Sequence, residues 1–434
     1  MSKKQFLTSF LLGILMCIAT FSYAVTYSPY FDMSLGGQDT GPDNITKIAG
    51  DAKIKAITVA FVVGLSDSQT SGQGYAYWGG YSSYSVNKGW GVKEIQAFQK
   101  LGGIVTVSFG GAAAASEGGH YLCETCLDVK TLVAEYKKVI DTYKVTRLDY
   151  DVEVSFLNSM DSTTMASRER MGQAIAILQK ENPKLVIGFT LPVMPYGLTP
   201  TGIKFVNAMQ ALDVRIDYIN IMAMDYGTGV SEMGKAAVSA TTNTAKQLKL
   251  DHSQIAITPM IGVNDTSSGK PLSEVFTLAD AVEVHSFSGT YNPAFIGSWS
   301  LNRDHGESVG MPVVNTSSGI LQADYAFASA FQTGKYPPAP PPPDVSVRVV
   351  NEINPKTYCY PSIVYIDGKK STMNNYSFKI NSGTHTLGFT IGSEVANCKP
   401  YTFKKNQIIS IQLLSYKWGS HIIDCNFKVS AGVL

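Results

Sequence analysis

Three carboxylates stand at every second position of Leu148-Asp149-Tyr150-Asp151-Val152-Glu153, separated by apolar and aromatic residues. Successive side chains of a β-strand point to opposite faces, so Asp149, Asp151 and Glu153 form one row while Leu148, Tyr150 and Val152 pack the other way. Acids in a row repel one another and are costly to bury, so stability alone does not account for them. The same crowding raises a carboxyl pKa until it donates a proton near neutral pH. The row is therefore an active site or the solvated face of an edge strand, and the surrounding elements must decide.

Between about residues 25 and 335, short β-rich runs alternate with longer amphipathic stretches. The runs Thr26 to Met33, Ala56 to Val63, Ile104 to Phe109, Arg147 to Glu153, Leu185 to Leu191, Tyr218 to Met224, Ile255 to Ile261 and Phe295 to Trp299 predict strands. Gly91 to Leu101, Val129 to Tyr143, Ser167 to Glu181, Thr201 to Leu212, Gly234 to Leu248 and Leu278 to Val284 predict helices. Eight strands separated by helical segments point to an α/β fold, a (β/α)8 TIM barrel with insertions. A doubly wound open sheet is the alternative, but no Gly-rich phosphate fingerprint follows the first strand. The insertion from Ser66 to Trp90 carries Tyr75, Tyr77, Trp78, Tyr81, Tyr84 and Trp90. Such a loop either stacks on sugar rings or packs its own aromatics.

The remainder of the chain sets the context. At 434 residues it is too long for one ordinary core, and a formal net charge of +1 gives no reason to expect nucleic acid or an anionic membrane as partner. Polar, neutral ligands fit better. Residues 1–24 read as a signal peptide: Lys3 and Lys4, an apolar run from Phe6 to Thr20, and Ser22-Tyr23-Ala24 before a mature start near Val25. An uncleaved anchor is the alternative, but the run is short for a bilayer span. The expected product is secreted, with no membrane association after cleavage. Tyr336 to Pro343 is a stiff polyproline spacer within a linker at 336–344, and Val345 to Leu434 alternates apolar and polar residues like a small all-β sandwich. In an oxidising compartment Cys123-Glu124-Thr125-Cys126 can close a small disulfide loop, while Cys359, Cys398 and Cys425 leave one tail cysteine unpaired in a monomer. A zinc site lacks a second CxxC or an HxxxH nearby, so no metal is expected.

Over roughly residues 25 to 335 the chain resembles glycoside hydrolase family 18, especially its bacterial secreted chitinases. Ser108-Phe109-Gly110-Gly111 resembles the family's SxGG, and Asp149 to Glu153 its DxxDxDxE. Met222-Ala223-Met224-Asp225-Tyr226 stands where the family has a Met-x-Tyr-Asp signature, and Trp299 to Asp304 where it places a tryptophan floor. The four occur in the right order. The resemblance implies Glu153 as general acid and base, Asp151 orienting the substrate's N-acetyl group, and Asp149 sharing a proton with Asp151. It implies that the acetamido oxygen, and no protein nucleophile, attacks the anomeric carbon. Trp299 would floor the sugar, the hydroxyl of Tyr226 would hold the acetamido oxygen, Asp225 would assist and Met222 would line the pocket. Tyr30, Asp32 and Gly111 are further candidate contacts.

The implied activity is retaining hydrolysis of β-1,4-linked N-acetylglucosamine in chitin or chitooligosaccharides by a monomer without cofactor. Two alternatives are an endo-β-N-acetylglucosaminidase on glycans or peptidoglycan, and a non-catalytic lectin on the same barrel. The sequence departs from the family pattern twice. Thr146 replaces its first Asp, a position expected to be buried support, and Met224 replaces its tyrosine. By strand parity Tyr226 falls on the same face as Met222 and Met224, so it is expected to fill that gap.

Overall fold

The computed structural model describes residues 26–65, 75–115, 118–227, 229–267, 274–306 and 313–339, together with strands and short connections within 345–430. Strand and helix alternate throughout the first part: β1 (Tyr30–Asp32), α1 (Ile45–Asp51), β2 (Ala56–Gly64), α2 (Val92–Lys100), β3 (Ile104–Gly110), α3 (Val129–Tyr143), β4 (Arg147–Asp151) and α4 (Ser162–Glu181). They continue as β5 (Val186–Met194), α5 (Pro200–Ala211), β6 (Tyr218–Met222), α6 (Met233–Leu248), β7 (Ile255–Thr258), α7 (Leu278–Tyr291) and, after the segment 295–299, α8 (Ala326–Thr333).

β1 to β7 pair in chain order, all parallel. The segment 295–299 closes the ring through isolated bridges: Ile296 meets both Ile257 and Tyr27, and Trp299 meets Met260. Its main chain receives and gives bonds on both sides, from Ser28 N–H to Ile296 O at 2.8 Å and from Trp299 N–H to Pro259 O at 2.8 Å. The expected (β/α)8 barrel is thus closed by single rungs where the sequence pattern predicts a full eighth strand.

Local chemistry explains the elements. All nine positions of β2 are buried, as for a parallel strand covered on both faces. Asp128, Asp161, Thr199 and Thr277 cap α3, α4, α5 and α7 by accepting a first-turn N–H. Behind the acid row, the ring of Tyr150 stacks on Phe109 at 5.3 Å and meets Tyr136 of α3 edge-on at 5.4 Å, fixing the rotation of β4.

The aromatic insertion is largely its own core. Trp78 is fully buried and donates to Tyr143 Oη at 2.7 Å, Tyr84 stacks on Trp90 at 3.8 Å, and Tyr81 is 53% exposed. Two expectations are corrected. Cys123 and Cys126 are buried free thiols instead of a disulfide loop, and burial pushes Cys126 up to about 12. Thr146 is exposed where β4 begins, so the missing acid leaves no gap beneath the row.

Strands within 345–430 form two four-stranded sheets and a two-stranded ribbon, and in one of them Val345–Asn351 lies parallel to Gln407–Tyr416. Cys398 is disulfide-bonded. The expected leader, Cys359 and residues 340–344 of the linker lie outside the described residues.

Candidate active site

The row on β4 is graded in burial. Asp149 is 1% exposed and Asp151 4%, while Glu153, just past the end of the strand at Asp151, is partly exposed. Asp149 Oδ2 accepts from Tyr30 Oη at 2.8 Å and Ser108 Oγ at 2.7 Å, and its Oδ1 from Thr190 Oγ1 at 2.8 Å. Asn220 extends this network by donating to Tyr30 Oη and Thr190 Oγ1, and accepts from Thr258 Oγ1 at 2.8 Å. Side chains from six strands thereby cross the barrel interior, and Tyr30 serves as support for Asp149 as well as pocket wall.

Burial pushes Asp149 up to about 6 although its three hydroxyl donors pull the other way. Asp151 is also raised above the carboxylate range, by burial first and then by the charges of Glu153 and Asp149. Glu153 is raised by burial and then by Asp225. The row therefore titrates as a coupled set held toward protonation. Asp151 Oδ1 is buried without a hydrogen-bond partner and lies on the wall of a cleft.

That cleft opens at the C-terminal ends of the strands. Trp299 and Phe61 form one wall, their rings stacked at 5.3 Å with 18° between planes, and Tyr30 tilts against Trp299 at 6.0 Å. Cis peptide bonds join Ala60 to Phe61 and Trp299 to Ser300. Asp151, Glu153 and Asp225 line the same cleft, together with Met222, Met224 and Asp32. Asp32 is held by Ser34, which donates through its N–H and its hydroxyl at 2.8 and 2.6 Å. Gly111 stays behind the wall; a Cβ there would lie 2.5 Å from the Phe61 ring.

Asp225 sits at φ +49°, donates its N–H to Asn264 Oδ1 at 3.1 Å, and is pushed up to about 6 by burial and then by Asp265. β6 has ended at Met222, and this left-handed residue turns the chain once more. Tyr226 therefore turns away from the cleft into the main core, 5% exposed and with no hydrogen-bond partner for its hydroxyl. The parity argument for Tyr226 is corrected: Met224 lines the cleft itself, and Tyr226 packs in the core.

Sequence reasoning missed Phe61, Thr190, Asp265 and the support of Arg303. A lone aromatic in an aliphatic strand is the only signal Phe61 offers. Arg303 is fully buried, donates to the carbonyls of Ile261, Val263 and Val314, and thereby holds the loop that carries Asp265 to the cleft.

A parallel barrel with a graded carboxylate row and an aromatic wall at its C-terminal mouth defines a glycoside hydrolase, and the chain belongs to family 18 of that class. Over 71% of its length it is 31% identical to active domain 2 of a chitinase from Pyrococcus furiosus, covering 94% of that chain with a TM-score of 0.59. It is also 31% identical over 300 residues, 64% of its own length, to Endochitinase 11 of Metarhizium anisopliae and to a probable bifunctional chitinase/lysozyme of Escherichia coli strain K12. The match spans 52% of the first and 31% of the second. No protein-family model matches the chain.

Proposed function

We propose that this protein is a secreted chitinase that hydrolyses β-1,4 linkages between N-acetylglucosamine units with retention. The observation that carries the reading is Asp151 Oδ1, a buried acceptor without a partner on the wall of the cleft that Trp299 and Glu153 also line. An unpaired buried carboxylate oxygen is costly, and an acetamido N–H supplies the donor that relieves it. The chitinases among its relatives support the same substrate class.

In the first step the acetamido carbonyl oxygen forms a bond to C1 as the C1–O4 bond breaks, and the Glu153 proton passes to the departing O4. Asp151 holds the acetamido N–H and faces the positive charge that develops on the ring. In the second step water attacks C1 and gives its proton to the Glu153 carboxylate, reopening the ring to the acetamide. Two inversions leave the product with retained configuration.

Glu153→Gln keeps the shape and removes the transferable proton. Release of reducing ends from chitooligosaccharides is expected to fall by roughly 10²–10⁴-fold. Equal activity in the variant would remove Glu153 from the mechanism, and an inactive parent would favour the lectin. Assaying glycoprotein glycans and peptidoglycan beside chitin separates the chitinase from the glycan-releasing alternative.

A further inference from the structure

The proton donor stands where the sheet no longer controls the main chain. Val152 N–H makes the last bond to the neighbouring strand, to Thr190 O at 2.9 Å, and β3 has already ended at Gly110. The next donor, Glu153 N–H, is bonded by a side chain: the phenol oxygen of Tyr121 accepts it at 2.8 Å, from 32 residues upstream.

Tyr121 is itself held on three sides. It is 3% exposed, and its ring stacks on Phe156, in the short helix Val154–Asn158, with centroids 3.9 Å apart. Its main-chain N–H donates to Glu124 Oε2 at 2.8 Å. Its ring also lies against Gly110, where an added Cβ would come within 2.5 Å of it and 2.4 Å of Asp151 O. At the far end of that helix, Arg168 donates to the carbonyls of Phe156, Leu157 and Ser159 at 2.7 to 2.8 Å. Glu153 is the N-cap of this helix, and its side chain makes no capping bond. Burial, and after it the charges of Asp151 and Glu153, keep the phenol well above its ordinary pKa against the lowering effect of the Glu153 N–H bond, so it remains a neutral acceptor.

We propose that Tyr121 is a positioning residue for the general acid: by accepting the Glu153 N–H it fixes the main chain from which the Glu153 carboxyl reaches the departing oxygen. The proposal rests on the reading of Glu153 as that acid. A displacement of about 1 Å in a group that must meet a reacting atom costs up to about 10²-fold in rate, so loss of one tether is a sizeable but partial defect.

Tyr121→Phe keeps the ring and removes only the acceptor. The test compares kcat and KM on a chitooligosaccharide with those on a dinitrophenyl glycoside of the same acetamido sugar, whose leaving group departs without needing a proton. The variant is expected to lose about 10-fold in kcat on the oligosaccharide with KM within about 2-fold, and less than about 2-fold in kcat on the aryl glycoside. Phe156→Leu, which disturbs the stacking and keeps the phenol, is expected to leave the ratio between the two substrates as in the parent. Equal losses on both substrates in Tyr121→Phe, the same ratio change in Phe156→Leu, or a Tyr121→Phe chain that does not fold would assign Tyr121 to stability and overturn the proposal. A parent inactive on both substrates overturns the chitinase reading with it, whereas an active parent with an unchanged ratio in the variant overturns only the role of Tyr121.

Discussion

The Tyr226 hydroxyl and Asp151 Oδ1 are both buried without a hydrogen-bond partner, and their settings separate a group enclosed in the core from one that lines the cleft. Asp151 faces the cleft, whereas the Tyr226 hydroxyl is enclosed in the core beyond the left-handed Asp225. Removing an unpaired hydroxyl exposes no new polar group, so Tyr226→Phe is expected to change stability by no more than about 1 kcal/mol. Chitooligosaccharide turnover should stay within about 2-fold. Steady-state kinetics and a thermal melt check both, and a ten-fold loss of turnover would bring the phenol back into the reaction. The network under Asp149 follows the same logic: hydroxyls from β1, β3 and β5 hold a carboxylate that the exposed Thr146 never touches.

At the scale of elements, the turn after β3 packs against the end of the carboxylate row. Gly110 at φ +95° begins the reversal into the short helix Gly111–Ala115, and its missing side chain lets Asp151 O and Tyr121 approach. Any Cβ there meets main chain on one side and a packed ring on the other, in a conformation that L-residues rarely adopt. Gly110→Ala is expected to destabilise the fold by about 3 kcal/mol or more, seen as a lower denaturant midpoint with the slope unchanged. A wild-type midpoint would mean that this turn has slack. The eighth barrel position shows another economy of elements, since single rungs at Tyr27, Ile257 and Met260 suffice to aim Trp299.

Across the whole molecule, buried acids shape the response to pH. Asp149, Asp225 and Asp304 are each pushed up to about 6 from 3.8, with burial the first cause in every case. Each holds its proton more tightly folded than unfolded, so its contribution is fully present below about 4 and is lost as pH rises through about 6. Asp128 and Asp161 are lowered by hydrogen bonds, and their contribution is lost only as pH falls below 4. The melting temperature is therefore expected to decline between pH 4 and 6. Asp304 is fully buried outside the cleft, where it accepts from Phe327 and Ala328 N–H at the start of α8, so Asp304→Asn should flatten that decline. Melting curves across the range check this, and a parent Tm that rises from pH 4 to 6 would contradict it.

Order and periodicity along the chain determined the barrel, the carboxylate row and the place of Trp299, because strand alternation and βα repetition are local properties that residue types express directly. Helix boundaries at α3 were legible for the same reason: a capping Asp128 and an apolar stripe lie within the segment itself. What required the folded chain was every feature that depends on where distant segments meet. Parity placed Tyr226 in the pocket, but β6 ends at Met222 and the chain turns left-handed at Asp225, so the alternation does not reach Tyr226. The thiols of Cys123 and Cys126, the stacking of Phe61 on Trp299 and the reach of Tyr121 to Glu153 are likewise contacts in space. Residue types announce that acids are crowded; only tertiary packing decides which of them is enclosed, which is tethered and which faces the substrate.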